Sequence, residues 1–404
     1  MNKRNSHRIE LVEYETRKYP ESEITKDLGI MIWQSYGSQI SIDEPSFKNG
    51  NKWCLTSTGW VGHIPLVPEI EIILTPKVDI KNIFSMLEYA YRLEKLEFPK
   101  GITACDSLTE FYETLAKLFA LRVLDRGRKG FFRSYQARKD RIPYVRGRFD
   151  VRKSCQKPWM VKPECCYEEH TSDVEDNQIL AWTLRRILQS GICTERSLPQ
   201  VRRAYQSLRG LATPIPCDPQ DCVGRLYNRL NQDYQPMHAL CRFFLEQSGP
   251  SHRVGDRTMI PFLVDMAQLY ELFVAEWLKA HPPSGFVVKP HEKVVIGQKG
   301  QGQEGKIKFD IDLVVYERDS QKARFILDTK YKAPDHPGNT DINQVVTYAN
   351  TKECAEAILI YPKPLNLDVM IGKIRVRSLT FSLDGDLEEA GHKFLEDLLS
   401  GEDR

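Results

Sequence analysis

KIKFDIDLVVY (residues 306–316) and RFILDTKYK (324–332) are the two stretches whose reading decides the fold. The first alternates apolar and polar residues and is rich in β-branched and aromatic side chains, which predicts a half-buried strand from Ile307 to Tyr316. The second predicts another strand. Asp328 and Lys330 are two residues apart in it, so a pleated strand projects both to one face. If the two strands pair, Asp310 and Asp328 converge with an ammonium beside them, an arrangement suited to a hard divalent cation and a phosphate. Asp312 shares the face of Asp310 and leaves open which of the two carboxylates takes part.

Read in order, D-I-D-L, the strand-borne D-T-K, and Gln344 and Tyr348 in NQVVTYA resemble the PD-(D/E)xK nuclease core, in the branch carrying a Q-x-x-x-Y helix. The flanks MAQLYELFVAEWL (266–278), AILIYP (357–362), RGRFDVRKS (146–154) and DNQIL (176–180) resemble McrC, the nuclease subunit of McrBC-type GTP-dependent restriction systems. The likeness runs from about Thr58 onward. Phe309 stands where that family often has proline. The resemblance implies a Mg2+-dependent endonuclease, with Mn2+ as a possible substitute. Asp310, Asp328, Glu271 and the Thr329 carbonyl would hold metal, and Lys330 would orient water and stabilise the transition state. Gln344 and Tyr348 would position the DNA backbone or Lys330. Asp310 is preferred to Asp312 because it fits the family's D-I-x-L pattern. The implied partners are double-stranded DNA and a McrB-like AAA+ GTPase hexamer whose GTP hydrolysis the chain would stimulate. Two other readings stand beside this one: a non-cleaving activator or scaffold of the motor that only grips DNA, and a stand-alone DNA repair nuclease. The extra β module and helical domain disfavour the latter.

Composition agrees with a globular, multidomain chain: 404 residues, 41% hydrophobic and 28% charged. No apolar run approaches the roughly eighteen residues of a membrane span, and MNKRNSHRIE lacks a signal-peptide core, so the expectation is a cytoplasmic protein with no membrane contact. The ten cysteines form no C-x-x-C pair and the nine histidines no H-E-x-x-H, which removes the zinc-hydrolase reading and predicts reduced thiols. Gly300, Gly305 and Lys306 match a P-loop string, but Ile307 replaces its hydroxyl residue and the segment links two strands, so the chain should bind no nucleotide cofactor.

The predicted fold class is multidomain α+β. Residues 1–76 read as a small β-rich module, GIMIWQSYG (29–37) included, suited to partner engagement. Residues 77–255 read as a helical middle domain. Within it, residues 122–153 carry twelve Lys or Arg against Asp125, Asp140 and Asp150, and Arg146, Arg148 and Arg152 are the candidate DNA or partner contacts. Gly147 there offers an anion close backbone approach. Residues 256–404 read as the α/β nuclease-like domain, opening with a helix from about Pro261 to Ala280 that carries Glu271 on the rim of its apolar face.

Overall fold

Strands of the N-terminal part follow from period-two burial: Ile9 and Leu11 in β1 (His7–Val12), Ile64 and Leu66 in β5 (Trp60–Val67), Ile72 and Leu74 in β6 (Ile70–Thr75) are all buried. The computed structural model describes residues 7–67, 69–93, 107–149, 151–156, 159–254, 257–298, 306–332 and 336–400. A second small sheet combines β2 (Thr16–Tyr19), β3 (Ile40–Asp43) and β4 (Trp53–Ser57) in the order β2-β4-β3. GIMIWQSYG, expected as a strand, lies in a helix instead, α1 (Lys26–Tyr36). Thr25 caps it by accepting from the Leu28 amide, and Gly29 is needed where it stands, because a Cβ there would come within 2.5 Å of the Trp53 ring. Tertiary packing overrides the local β preference. The predicted helix after residue 77 is present as α2 (Ile80–Ala90), with Asp79 capping it.

The contact pattern divides the chain into two compact units whose bounds differ from the three expected segments: Met1–Leu108 with Leu263–Arg404, and Thr109–Phe262. The second unit contains α3 (Leu108–Lys129), β7 (Ser134–Arg141), β8 (Arg148–Phe149), α4 (Val151–Gln156), β9 (Glu164–Thr171), α5 (Glu175–Ser190), α6 (Leu198–Leu208), α7 (Tyr234–Glu246), β10 (His252–Val254) and β11 (Arg257–Met259). It is not purely helical. The basic segment forms most of an antiparallel sheet, β7-β9-β8, and β7 is exposed along nearly its whole length. Asn177, buried at the start of α5, donates to the carbonyls of Phe132 and Ser172 and accepts from the Tyr234 hydroxyl at 2.6 Å. The polar residue of DNQIL thus satisfies buried backbone groups where the sheet segment begins.

The C-terminal part adds β12 (Phe262–Asp265), α8 (Met266–Ala280), β13 (Phe286–Gln298), β14 (Lys306–Glu317), β15 (Ala323–Thr329), α9 (Asn339–Thr351), β16 (Glu356–Tyr361), β17 (Asp368–Ile371), β18 (Ile374–Thr380) and α10 (Leu387–Leu399). The expected helix from Pro261 starts later, because Asp265 accepts from the amides of Ala267 and Gln268 and so fixes the helix origin. The preceding residues extend as β12 and complete the N-terminal sheet, β1-β6-β5-β12. Leu263 belongs to that sheet's core beside Leu55, Ile64 and Ile72.

The C-terminal strands form one six-stranded mixed sheet, β13-β14-β15-β16-β18-β17. β13, β14 and β15 run antiparallel in turn, while β15, β16 and β18 are parallel. Val345, Tyr348 and Ala349 of α9 pack with Val314, Ile326 and Leu359 of the sheet. Trp277 of α8 and Phe394 of α10 meet on Phe381, with ring centroids 5.2 and 5.4 Å from it.

Candidate functional site

Hairpin register places the first pair of carboxylates. Leu313 of β14 pairs with Leu327 of β15 in antiparallel fashion, so one step further along Asp312 faces Asp328. Asp310, the carboxylate preferred from sequence, is exposed and pairs in register with Lys293 of β13. Asp312 Oδ2 accepts from the Thr329 amide at 2.9 Å and from its hydroxyl at 3.0 Å, which fixes that carboxylate beside the motif strand.

Asp328 is fully buried, and among the described residues its carboxylate has only the Lys330 ammonium as a partner. Lys330 Nζ lies 2.7 Å from Asp328 Oδ2 as an ion pair and also donates to Gln344 Oε1 at 3.3 Å. Gln344 Nε2 donates to the Tyr348 hydroxyl at 2.8 Å. Asp328, Lys330, Gln344 and Tyr348 therefore form one continuous polar line from β15 to α9. The four-residue spacing in α9 creates its second half.

Electrostatics at the site reflect crowded carboxylates. Burial, then Asp312 and Asp310 with Asp328, push the Glu271 carboxyl of α8 up to about 8. Burial and Asp312 likewise raise Asp328 to about 7, against the pull of Lys330. Burial disfavours the Lys330 charge, but Asp328, Asp312 and Asp341 outweigh it and raise the Lys330 pKa. Glu271 also lies 3.5 Å from His291 Nδ1 of β13.

Among the described residues no three acidic, His or Cys side chains stand close enough to close around a metal as they lie. The donor set nonetheless fits a hard cation: Asp328 carries two buried oxygens that among the described residues have the Lys330 ammonium as their partner, Asp312 stands opposite, and Glu271 is raised chiefly by burial and then by these neighbours. The site thus holds more carboxylate than Lys330 alone compensates.

Arg146, Arg148 and Arg152 belong to the other unit, all exposed. Arg146 lies 4.4 Å over the Tyr167 ring and 3.8 Å from Glu169, and Arg138, Lys139 and Arg141 also pair with acids of β9. The basic run is thus partly neutralised by Glu164 and Glu169, which lie outside the window that made it look so positive. Gly147 has φ +65, and a Cβ there would fall 2.5 Å from the Cys166 carbonyl. Its freedom serves the close approach of its own strands. The P-loop-like string lies mostly outside the described residues, between the antiparallel strands β13 and β14.

Residues 55–362 match the family described as McrBC 5-methylcytosine restriction system component. The chain belongs to this McrBC family. No curated protein matches it. Among solved structures, a chain of the Thermococcus gammatolerans half-complex of McrB AAA+ hexamers with bound McrC is 16% identical, with a TM-score of 0.54, covering 97% of this chain and 100% of that one. A chain of the T. gammatolerans McrBC complex is 19% identical with a TM-score of 0.41, covering 67% and 87%. At these identities the first likeness speaks for a shared fold. Family membership bears out the McrBC resemblance read from the flanking strings. Among the described residues no helix is long and apolar enough to cross a membrane.

Proposed function

We propose that this McrBC-family chain is the Mg2+-dependent endonuclease subunit of a GTP-driven restriction complex, with its C-terminal sheet acting as a PD-(D/E)xK nuclease core. The observation that carries the reading is the convergence of Asp312, Asp328 and Lys330 at one end of a hairpin, with Gln344 and Tyr348 continuing from Lys330. Asp328, Asp312 and Glu271, with the Thr329 carbonyl, would be the oxygen donors for the metal. When bound, Mg2+ would supply charge screening for the phosphate and acidify a water.

The protein's own part is positioning and charge. Lys330 is held by Gln344, which in turn is oriented by Tyr348, so its ammonium is fixed toward the acidic end of the site. That ammonium would face the negative charge that develops on the phosphate. The proposed partner is a McrB-like AAA+ hexamer, because the fold matches a chain from an assembly of McrB hexamers with bound McrC. The test is plasmid cleavage with that motor, GTP and Mg2+. Wild-type chain should cut and Asp328→Ala should not; cutting by Asp328→Ala would remove the site assignment. GTPase stimulation without cutting by the wild type would instead favour the scaffold reading.

A further inference from the structure

Three residues before Gln344, on the same face of α9, stands a carboxylate outside the polar line from Lys330 to Tyr348. Asp341 is buried; its Oδ2 lies 2.5 Å from the Lys332 ammonium and accepts from the Tyr361 hydroxyl at 3.5 Å. Lys332 follows β15 and Tyr361 ends β16, two strands that run parallel. The carboxylate thus draws the start of α9 onto the ends of both. Residue 338 leaves room for it, since a Cβ on Gly338 would come 3.3 Å from Asp341 Oδ2.

Net stability does not explain the pair. The Lys332 side chain is 43% exposed, so solvent weakens the attraction while the buried carboxylate still bears its desolvation. Direction is what the pair supplies. Val345 and Ala349 seat α9 on the sheet through apolar contact, which is non-directional and does not by itself fix where the helix stands along the strands. Lys352, just past the far end of α9, pairs with Glu292 of β13, but it lies two turns beyond Gln344, whereas Asp341 is within one turn of it. Lys330 and Lys332 are two residues apart at the end of β15, and α9 holds both, Gln344 the first and Asp341 the second. The Lys330–Gln344 bond is 3.3 Å, at the outer limit for such bonds, so a small slide of α9 would break it.

We propose that Asp341 is a positioning residue of the nuclease site: by gripping Lys332 it fixes α9 against the end of β15, so that Gln344 meets Lys330. The inference rests on the nuclease reading of that site. The local field agrees with it. Burial opposes the Lys330 charge, and Asp341 is, after Asp328 and Asp312, one of the carboxylates that outweigh burial. Lys332 in turn occupies the Asp341 carboxylate, which would otherwise compete with Asp328 for the Lys330 ammonium.

The test joins plasmid cleavage by the full complex with GTP and Mg2+ to hydrogen exchange of α9 in the full chain in chelator. Lys332→Met and Asp341→Asn should each lower the rate at saturating DNA about tenfold and leave the KM for DNA within about twofold, because a misplaced Lys330 loses rate and not binding. Adding Asp341→Asn to Gln344→Ala should lower the rate no further, since Asp341 acts through Gln344. Exchange of amides 342–345 should rise several-fold in Lys332→Met, with a melting temperature close to that of wild type. A phosphate-contacting role for Lys332 would instead raise KM and add to the Gln344→Ala loss. A purely structural role would lower the melting temperature and leave the saturated rate of the folded chain unchanged. Either result, or wild-type rates in both single variants, overturns the proposal. Wild-type exchange in Lys332→Met overturns it whether or not the chain cuts, whereas raised exchange in a chain whose wild type does not cut would remove the nuclease reading and keep the hold on α9.

Discussion

Asp312 faces Asp328 across the β14–β15 hairpin, one residue beyond the Leu313–Leu327 pair. Asp310 is displaced by two residues along the same strand and lies in register with Lys293. Asp312→Ala should therefore reduce DNA cleavage about as severely as Asp328→Ala, by a hundredfold or more at about 1.4 kcal/mol per factor of ten. Asp310→Ala should be milder. Plasmid cleavage rates for the three variants decide this, and a reversed order of the first and last would restore Asp310 as the ligand.

Glu271 gives a pH-dependent stability with a definite sign. Burial first, then Asp312, Asp328 and Asp310, raise its folded pKa from 4.5 to about 8. The unfolded chain then holds fewer protons than the folded one between those values, so the group's contribution to stability falls as pH rises through that window. Without metal, Glu271→Gln should melt higher than wild type at pH 8 and nearly equally at pH 4. Added Mg2+ should narrow the gap at pH 8 by stabilising wild type more than the variant, which keeps Asp312 and Asp328, as expected of an ion that binds only the folded state. Thermal melts with and without Mg2+ at both pH values read this directly. A variant destabilised at pH 8 in chelator would contradict it.

The line from Lys330 through Gln344 to Tyr348 has a graded prediction. Tyr348→Phe removes one hydrogen bond from Gln344 but keeps the buried ring that packs 5.3 Å from Phe309. Gln344→Ala releases Lys330 altogether on that side. Cleavage should fall a few-fold for the first and about tenfold or more for the second, since misplacement of a charged group costs rate steeply. Equal, near-wild-type rates for both would show that Asp328 alone holds Lys330.

How far these relationships were legible in the sequence depends on the range of the interaction that sets them. Asp328, Lys330, Gln344 and Tyr348 are placed by spacing within one strand and one helix, and periodicity suffices for that. The choice between Asp310 and Asp312 depends on the hairpin register, and the connecting turn does not state it in its residues. The strand β12 was hidden inside an apolar run that reads equally well as helix until Asp265 is seen to cap α8. GIMIWQSYG misled because the helix depends on Trp53 seated on Gly29, a contact between segments. The charge of 122–153 was legible, but its partial neutralisation by Glu164 and Glu169 required the pairing of β7 and β8 with β9.

That pairing separates the arginines into two classes. Arg146 is engaged with Glu169 and Tyr167. Exposed pairs of this kind contribute little, on the order of 0–1 kcal/mol. Arg148 and Arg152 are exposed on β8 and α4 and are the better candidates for an external anion, whether DNA phosphate or an acidic surface of the motor. Double charge reversal at Arg148 and Arg152 should weaken complex formation or DNA retention, whereas Arg146→Glu should chiefly loosen the sheet. If phosphates are the partner, the double variant should also flatten the salt dependence of binding by about one unit of log–log slope per lost contact. If the motor is the partner, stimulation of its GTPase should fall instead, with DNA affinity and its salt slope unchanged. Phosphate release by the motor and DNA binding at two salt concentrations distinguish the two, and a double variant with wild-type values in both would return this face to ordinary solvated surface.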